Sequence, residues 1–284
     1  MTGAAKGAVT VVVATRNRCP DLLRTLPRHE CRVVVVDNGS TDGTARMVRE
    51  RFPDVELVEL GRNAGATARN VGVERVRTPY VAFADDDSWW APGCLVRAVE
   101  LLDAHPEVAL LTARVLIGPD QRPDPVSVLM ADDPLGPNPS LPGPAVLGFL
   151  ACAAVMRREA YLGVGGFDDV IFFCGEEEML ALDLSTAGWW MAYVDELTVH
   201  HHPAVSSSRR GRDQLATRNR LLVALMRRPW SKLAQDALRA ARSGGPGLRA
   251  TFSAARRAPR AMGRRQRLPD RVEEAKQRLE SLGS

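Results

Sequence analysis

Four short apolar runs, each broken off by a polar turn, limit this chain to very few folds. Val9–Ala14 and Arg32–Val36 are nearly unbroken β-branched stretches, Val55–Leu60 alternates less cleanly, and Tyr80–Ala84 is apolar throughout. Between them Asp21–Arg28, Thr41–Arg51 and Ala66–Arg75 read as helices, the second capped by Ser40 or Thr41. Strands that lack a polar face are buried on both sides. Their alternation with helices predicts an α/β fold, a mostly parallel sheet flanked by helices. Ligands of such sheets bind beyond the carboxyl ends of the strands, so the residues after each run are the ones to inspect.

Those residues are polar in every case. Thr15-Arg16-Asn17-Arg18 follows the first run and Asp37-Asn38-Gly39-Ser40-Thr41-Asp42-Gly43 the second. Gly61-Arg62-Asn63-Ala64-Gly65 follows the third and leads into Arg69, and the fourth ends on Asp85, Asp86 and Asp87. Each alone is ordinary turn and cap chemistry; four on one edge of a sheet point to a ligand. Three adjacent carboxylates repel unless a cation lies among them. Hard divalent ions take carboxylate oxygens and share themselves with phosphates. Further on, the prolines and glycines of residues 118–144 predict a loop, either facing solvent or covering a cleft. Gly175-Glu176-Glu177-Glu178 opens a helix with its acids at the positive end of the dipole. Val194–Val199 reads as a last strand, ending in His200-His201-His202.

Charge divides the chain. Residues 207–284 carry 20 Lys/Arg and 6 Asp/Glu, whereas the first 206 residues carry 18 and 28. The tail reads as three basic helices, Gln214–Arg227, 230–242 and Pro269–Leu282. They could pack as solvated faces on the acidic body, dock on an anionic membrane, or bind nucleic acid. Without interleaved aromatic residues nucleic acid is the weakest of the three. The five cysteines are odd in number and form no C-x-x-C pair, which points to reduced thiols in a cytoplasm. The longest apolar run, Ala145–Met156, is too short for the roughly 20 residues that a bilayer requires. The expected location is therefore cytoplasmic, at most peripheral on the inner membrane face.

Taken in order, Val-Thr-Val-Val-Val-Ala-Thr-Arg-Asn-Arg, Val-Val-Asp-Asn-Gly-Ser-Thr-Asp, Asn-x-Gly-x-x-x-Ala-Arg-Asn-x-Gly and Phe-Ala-Asp-Asp-Asp resemble the motifs of family 2 glycosyltransferases of the GT-A fold. The similarity continues through Gly165-Gly166-Phe167-Asp168 and Gly175-Glu176-Glu177 to the histidines, over roughly residues 8–206. It implies a GT-A-type Rossmann-like catalytic domain at 1–206 and a basic helical extension at 207–284. It also implies a UDP-, dTDP- or GDP-sugar donor, Mg²⁺ or Mn²⁺, and transfer to an acceptor hydroxyl with inversion at the anomeric carbon. By resemblance, Asp37 accepts the imide N–H of a pyrimidine base, Thr15 and Asn17 meet base and ribose, and Arg69 meets the diphosphate. Asp87 binds the metal, Asp85 the metal or ribose, and Asp86 lies beside the donor. His201 is the best match to the family's metal histidine, with His202 as the fallback, since a one-residue slip reverses the face. The family pattern Gly-Glu-Asp ends here in Glu177, so the catalytic base is Glu177, with Glu176 or Glu178 as alternatives. A nucleotidyltransferase, or a silent nucleotide-sugar sensor, are the competing readings.

Overall fold

A computed structural model describes residues 7–203 and 211–282. The first half delivers the expected β/α alternation: β1 (Val9–Thr15), α1 (Cys19–Thr25), β2 (Arg32–Asp37), α2 (Thr44–Arg51), β3 (Glu56–Glu59), α3 (Ala68–Arg75) and β4 (Tyr80–Ala84). β5 (Ser88–Trp90), α4 (Cys94–Ala104), β6 (Val108–Ile117), β7 (Arg122–Pro123) and α5 (Pro125–Ala131) come next. The body closes with β8 (Ala154–Arg157), α6 (Arg158–Gly163), α7 (Glu176–Thr186) and β9 (Trp190–His201). Four tail helices follow: α8 (Arg212–Arg227), α9 (Trp230–Arg242), α10 (Gly245–Met262) and α11 (Asp270–Leu282).

The strands form one mixed sheet in the order β3-β2-β1-β4-β8-β6-β9-β5, with β7 paired to β6. β1 pairs in parallel with both β2 and β4, and β2 with β3. Thr15 therefore lies beside Asp37, and Asp37 beside Glu59, so the strand ends form one rim.

The valine runs explain why the sheet needs two covers. Val12, Val34, Val36, Val81 and Phe83 point into one core with α3 and α7; Val11, Val13, Val33, Val35 and Ala82 point into the other with α1, α2 and α4. A period of two along strands with no polar face serves both cores at once. The first core also takes Leu221, Leu222, Leu225, Met226, Ala240, Ala254, Ala261 and Val272 from all four tail helices.

Some local expectations fail for identifiable reasons. Neither Ser40 nor Thr41 caps α2; the helix starts after Gly43, whose φ is +88°, and the Asp42 carboxylate accepts from the Thr44 amide at 3.0 Å. β9 is twice the expected length because it runs alongside β6 over nearly its full extent. The proline-rich segment holds the short helix α5, capped by Asp124, with Pro125 where no amide is required. α10 is a fourth tail helix that the sequence pattern missed. Pro246 reads as a helix stop, yet it sits in the first turn, where its missing N–H costs nothing.

Part of the tail's positive charge is spent on the body. Arg227 grips Asp183 through two bonds of 2.6 and 3.0 Å, Lys276 meets Glu178 at 2.7 Å, and Arg264 meets Asp168 at 2.8 Å. Arg228 is buried against Glu273 through two bonds and against Glu280 through a third, which ties α11 to the end of α8.

Candidate active site

The rim opens into a cavity of about 490 Å³ whose wall includes Thr15, Arg69, Asp85, Asp86, Asp87, Glu176, Glu177 and His201. Residues more than 100 positions apart thus converge where the strands end. A larger hollow of about 670 Å³ lies elsewhere, and its acids Asp168, Asp169 and Asp183 are already paired, the first two with Arg264 and the third with Arg227.

β5 and β9 build the acidic corner. Their antiparallel register sets His201 opposite Ser88, one residue past Asp87. Ligand atoms of Asp85, Asp87 and His201 all lie within 4.8 Å of one another, and His201 Nε2 is 3.2 Å from Asp87 Oδ1. Burial opposes ionisation of Asp87, but the hydrogen bond and charge of His201 outweigh it and hold the carboxyl below its ordinary value. Burial likewise works against the His201 imidazolium, and Asp87 reverses that, raising its pKa. Strand alternation removes the fallback: His200 and His202 turn to the other face and lie on the Trp89 ring at 5.2 and 4.8 Å.

Asp86 does not join this group. It accepts from Thr15 Oγ1 at 3.1 Å and faces Arg18 at 3.8 Å. Burial, then the charges of Asp85 and Asp87, push its pKa up to about 7. Arg69 is buried beside the neighbouring rings of Phe83 and Phe167, 5.9 Å from each centroid, and donates to Asp85 at 2.5 Å. Its Nε has no hydrogen-bond partner among the described residues.

Two further residues expected at the donor, Asp37 and Asn17, lie outside the cavity wall. Asp37 is buried next to Thr15; its Oδ2 accepts from the Ser40 amide at 3.1 Å, while its Oδ1 has no partner among the described residues. Asn17 is exposed with φ +56°, and its Oδ1 accepts from the Thr41 amide at 2.8 Å, tying the first strand's turn to the second's.

The same cavity is lined by the start of α7, at Glu176 and Glu177. Glu176 is buried and its Oε2 has no partner among the described residues. Burial, and next the charge of Glu176, raise the pKa of Glu177 well above the usual carboxylate range. Glu178 points away to Lys276, which removes it as an alternative base. The helix turns three successive residues at 100° each, so only the first two acids face the cavity.

The sequence profile of glycosyl transferase family 2 matches residues 10–163. The chain is a family 2 glycosyltransferase. An N-acetylglucosaminyl-diphospho-decaprenol L-rhamnosyltransferase of Mycobacterium tuberculosis is 29% identical over 221 residues, 66% of this chain and 72% of the relative. A pre-mycofactocin glycosyltransferase of the same organism is 32% identical over 209 residues, covering 68% of this chain and 43% of its own. A mannosyltransferase of Pyrobaculum calidifontis, solved with GDP-mannose and Mn²⁺, superposes with a TM-score of 0.57 at 24% identity over 98% of this chain and 76% of its own. Staphylococcus aureus TarS 1–349 with UDP-GlcNAc gives 0.61 at 17% identity over 94% and 83%. The fold is the GT-A fold.

One part of this glycosyltransferase's site was missed by reading motifs alone. The loop that delivers the glutamates is strained: Phe172, Cys174 and Gly175 have φ of +69°, +70° and +108°. Non-glycine residues in that region cost roughly 1–3 kcal/mol each, so something must hold them. Asn219, buried on α8, donates through Nδ2 to the carbonyls of Phe173 and Cys174, both at 2.6 Å. Arg218 donates to the Ile171 carbonyl at 2.8 Å and to Asn219 Oδ1, fixing the amide's orientation. From the other side the Ala66 amide donates to the Phe172 carbonyl at 2.7 Å, and a Cβ on Gly65 would lie 2.3 Å from that oxygen. The Arg218-Asn219 pair was the available signal, but nothing local says which loop it meets. Asn219→Asp places a carboxylate oxygen against two carbonyls. It is expected to lower kcat at least tenfold with donor KM little changed, and to cost roughly 2 kcal/mol of stability. Steady-state kinetics and urea melts check this.

Proposed function

We propose that this glycosyltransferase moves a sugar from a nucleoside diphosphate to an acceptor hydroxyl, with a divalent cation and with inversion at the anomeric carbon. The observation that carries the reading is that one cavity is lined both by the Asp85, Asp87 and His201 group and by Glu177. Glu177 is assigned as the base. Its raised pKa makes it a stronger proton acceptor once ionised, and it takes the acceptor's proton as the oxygen attacks. Attack from the Glu177 side, with the diphosphate leaving towards Asp87, would invert the configuration. Arg69 supplies a fixed cation for the charge that grows on the leaving diphosphate.

Two carboxylates and an imidazole at this spacing fit Mg²⁺ or Mn²⁺. Bound there, the ion would add Lewis-acid neutralisation of the departing nucleoside diphosphate. The unpartnered Oδ1 of buried Asp37 supports recognition of a pyrimidine imide N–H, hence a UDP- or dTDP-sugar. Thr15 and Asn17 are assigned to base and ribose at the same turn. α5 starts at the cavity edge with Asp124 and presents Val126, Val128 and Leu129 to solvent, which supports an acceptor bearing an apolar group. The odd number of cysteines and the lack of a C-x-x-C pair fit a reducing compartment.

Thermal melting with UDP, dTDP or GDP, each with Mn²⁺, tests the donor reading. A pyrimidine nucleotide should raise Tm and GDP should not, because only a ligand of the folded state shifts the equilibrium. In Asp37→Asn the pyrimidine shift should shrink. Equal shifts by all three nucleotides would refute the role of Asp37. NMR of the product's anomeric proton tests the stereochemistry, and retention would contradict Glu177 as base.

A further inference from the structure

Helix α10 carries an apolar face that the rest of the described chain leaves uncovered. Leu248, Phe252, Ala255, Pro259 and Met262 recur at spacings of four, three, four and three, which keeps them on one stripe of an 18-residue helix. All five are exposed, Leu248 by 58%, Phe252 by 63% and Met262 by 44%. The opposite side, Gly247, Ala250, Ala254 and Ala261, is buried, and a Cβ on Gly247 would lie 1.8 Å from the Ala240 carbonyl oxygen. The helix is therefore fixed in rotation, and the stripe cannot turn inward.

Charge frames the stripe. Between residues 237 and 269 there are nine arginines and neither Asp nor Glu. Arg257, Arg260, Arg264 and Arg265 are engaged by the body or by the end of α8. Arg249 and Arg256 run along one flank of the stripe, Arg256 lies over the Phe252 ring at 4.7 Å, and Arg242 stands at the preceding helix end. None of these three has a carboxylate within ion-pairing distance among the described residues.

We propose that α10 lies in the surface of an anionic bilayer. Leu248, Phe252 and Met262 enter the boundary between headgroups and acyl chains, and Arg242, Arg249 and Arg256 meet lipid phosphates. A second copy of the chain is a poor occupant, because it would bring the same acid-free, arginine-lined face against this one. A nucleic acid would take the arginines but leave three large apolar side chains in water. A membrane surface satisfies both. The inference does not depend on the donor or acceptor assigned above.

Sedimentation of the full chain with phosphatidylcholine vesicles, with and without phosphatidylglycerol, tests the proposal without any sugar nucleotide. Binding should require phosphatidylglycerol and weaken with salt. Leu248→Ser/Phe252→Ser should lower partitioning at least tenfold, and Arg249→Gln/Arg256→Gln by roughly fivefold for each charge. Both pairs lie at exposed positions, so Tm and the nucleotide-induced Tm shift should not change; that keeps this result separate from the catalytic reading. Equal binding to neutral vesicles, or variants that bind like the parent, would overturn it. So would light scattering that shows a dimer abolished by Leu248→Ser/Phe252→Ser, or RNA binding that anionic vesicles do not compete away.

Discussion

Replacing Glu177 by Gln is expected to cut kcat by roughly 10²–10⁴-fold, the usual worth of a positioned general base, while donor KM changes little. The amide keeps the shape of the side chain, so Phe172, Cys174 and Gly175 need not move. It cannot accept a proton. The same change should stabilise the protein, because burial and Glu176 raise the folded-state pKa of Glu177 above its ordinary value of 4.5. Within the window above 4.5 the native state binds a proton more tightly than the unfolded chain, so this residue makes stability fall as pH rises through the folded value. Gln removes that penalty. The variant should melt higher than the parent at alkaline pH, and the two should converge at acid pH, where Glu177 is protonated in both states. Turnover of the parent should rise with pH on a limb shifted above the common carboxylate range. Melting curves across pH and a pH–rate profile decide the matter. A Glu177→Gln enzyme with parental kcat would remove the residue from the chemistry, and loss confined to Glu176→Gln would move the role one position.

Asp87→Asn should be nearly as damaging for a different reason. The substitution keeps the main chain intact, including the Asp87 carbonyl that accepts from the His202 amide at 2.9 Å. It turns one of the three converging ligands into a neutral amide and removes the carboxylate that raises the His201 pKa. With a neutral amide, the corner loses charge towards any cation, and kcat/KM should fall on the order of 10²–10³-fold, comparable to loss of one preorganised electrostatic contact. The stabilisation of the protein by UDP plus Mn²⁺ should vanish in Asp87→Asn, and in the parent with EDTA. His201→Ala should act in the same direction. Full turnover in EDTA, together with an unaffected Asp87→Asn, would eliminate the cation from the mechanism and leave Arg69 as the cationic partner of the diphosphate.

Much of the rim was legible from the chain alone. Val9–Ala14, Arg32–Val36 and Tyr80–Ala84 are strands because β-branched and apolar runs suit a pleated surface buried on both faces. Their carboxyl ends were bound to form one rim once the sheet was parallel, and so the turns bearing Thr15, Asp37 and Asp85–Asp87 fell on the same edge. Local pattern also found α8, α9 and α11. It lost α10, because a proline at a first helical turn looks like one at a stop.

Tertiary structure decided the rest. Whether His201 or His202 faces Asp87 hangs on the β5–β9 register, which no short window contains. Glu178 finds its partner in Lys276, 98 positions away. The strained loop ahead of Glu176 and Glu177 is held by Asn219 and Arg218 on a helix outside the body's own strands. Secondary structure follows from each residue's nearest neighbours along the chain. Which side chains meet depends on long-range packing, and there a single residue of slip changes the face and with it the chemistry.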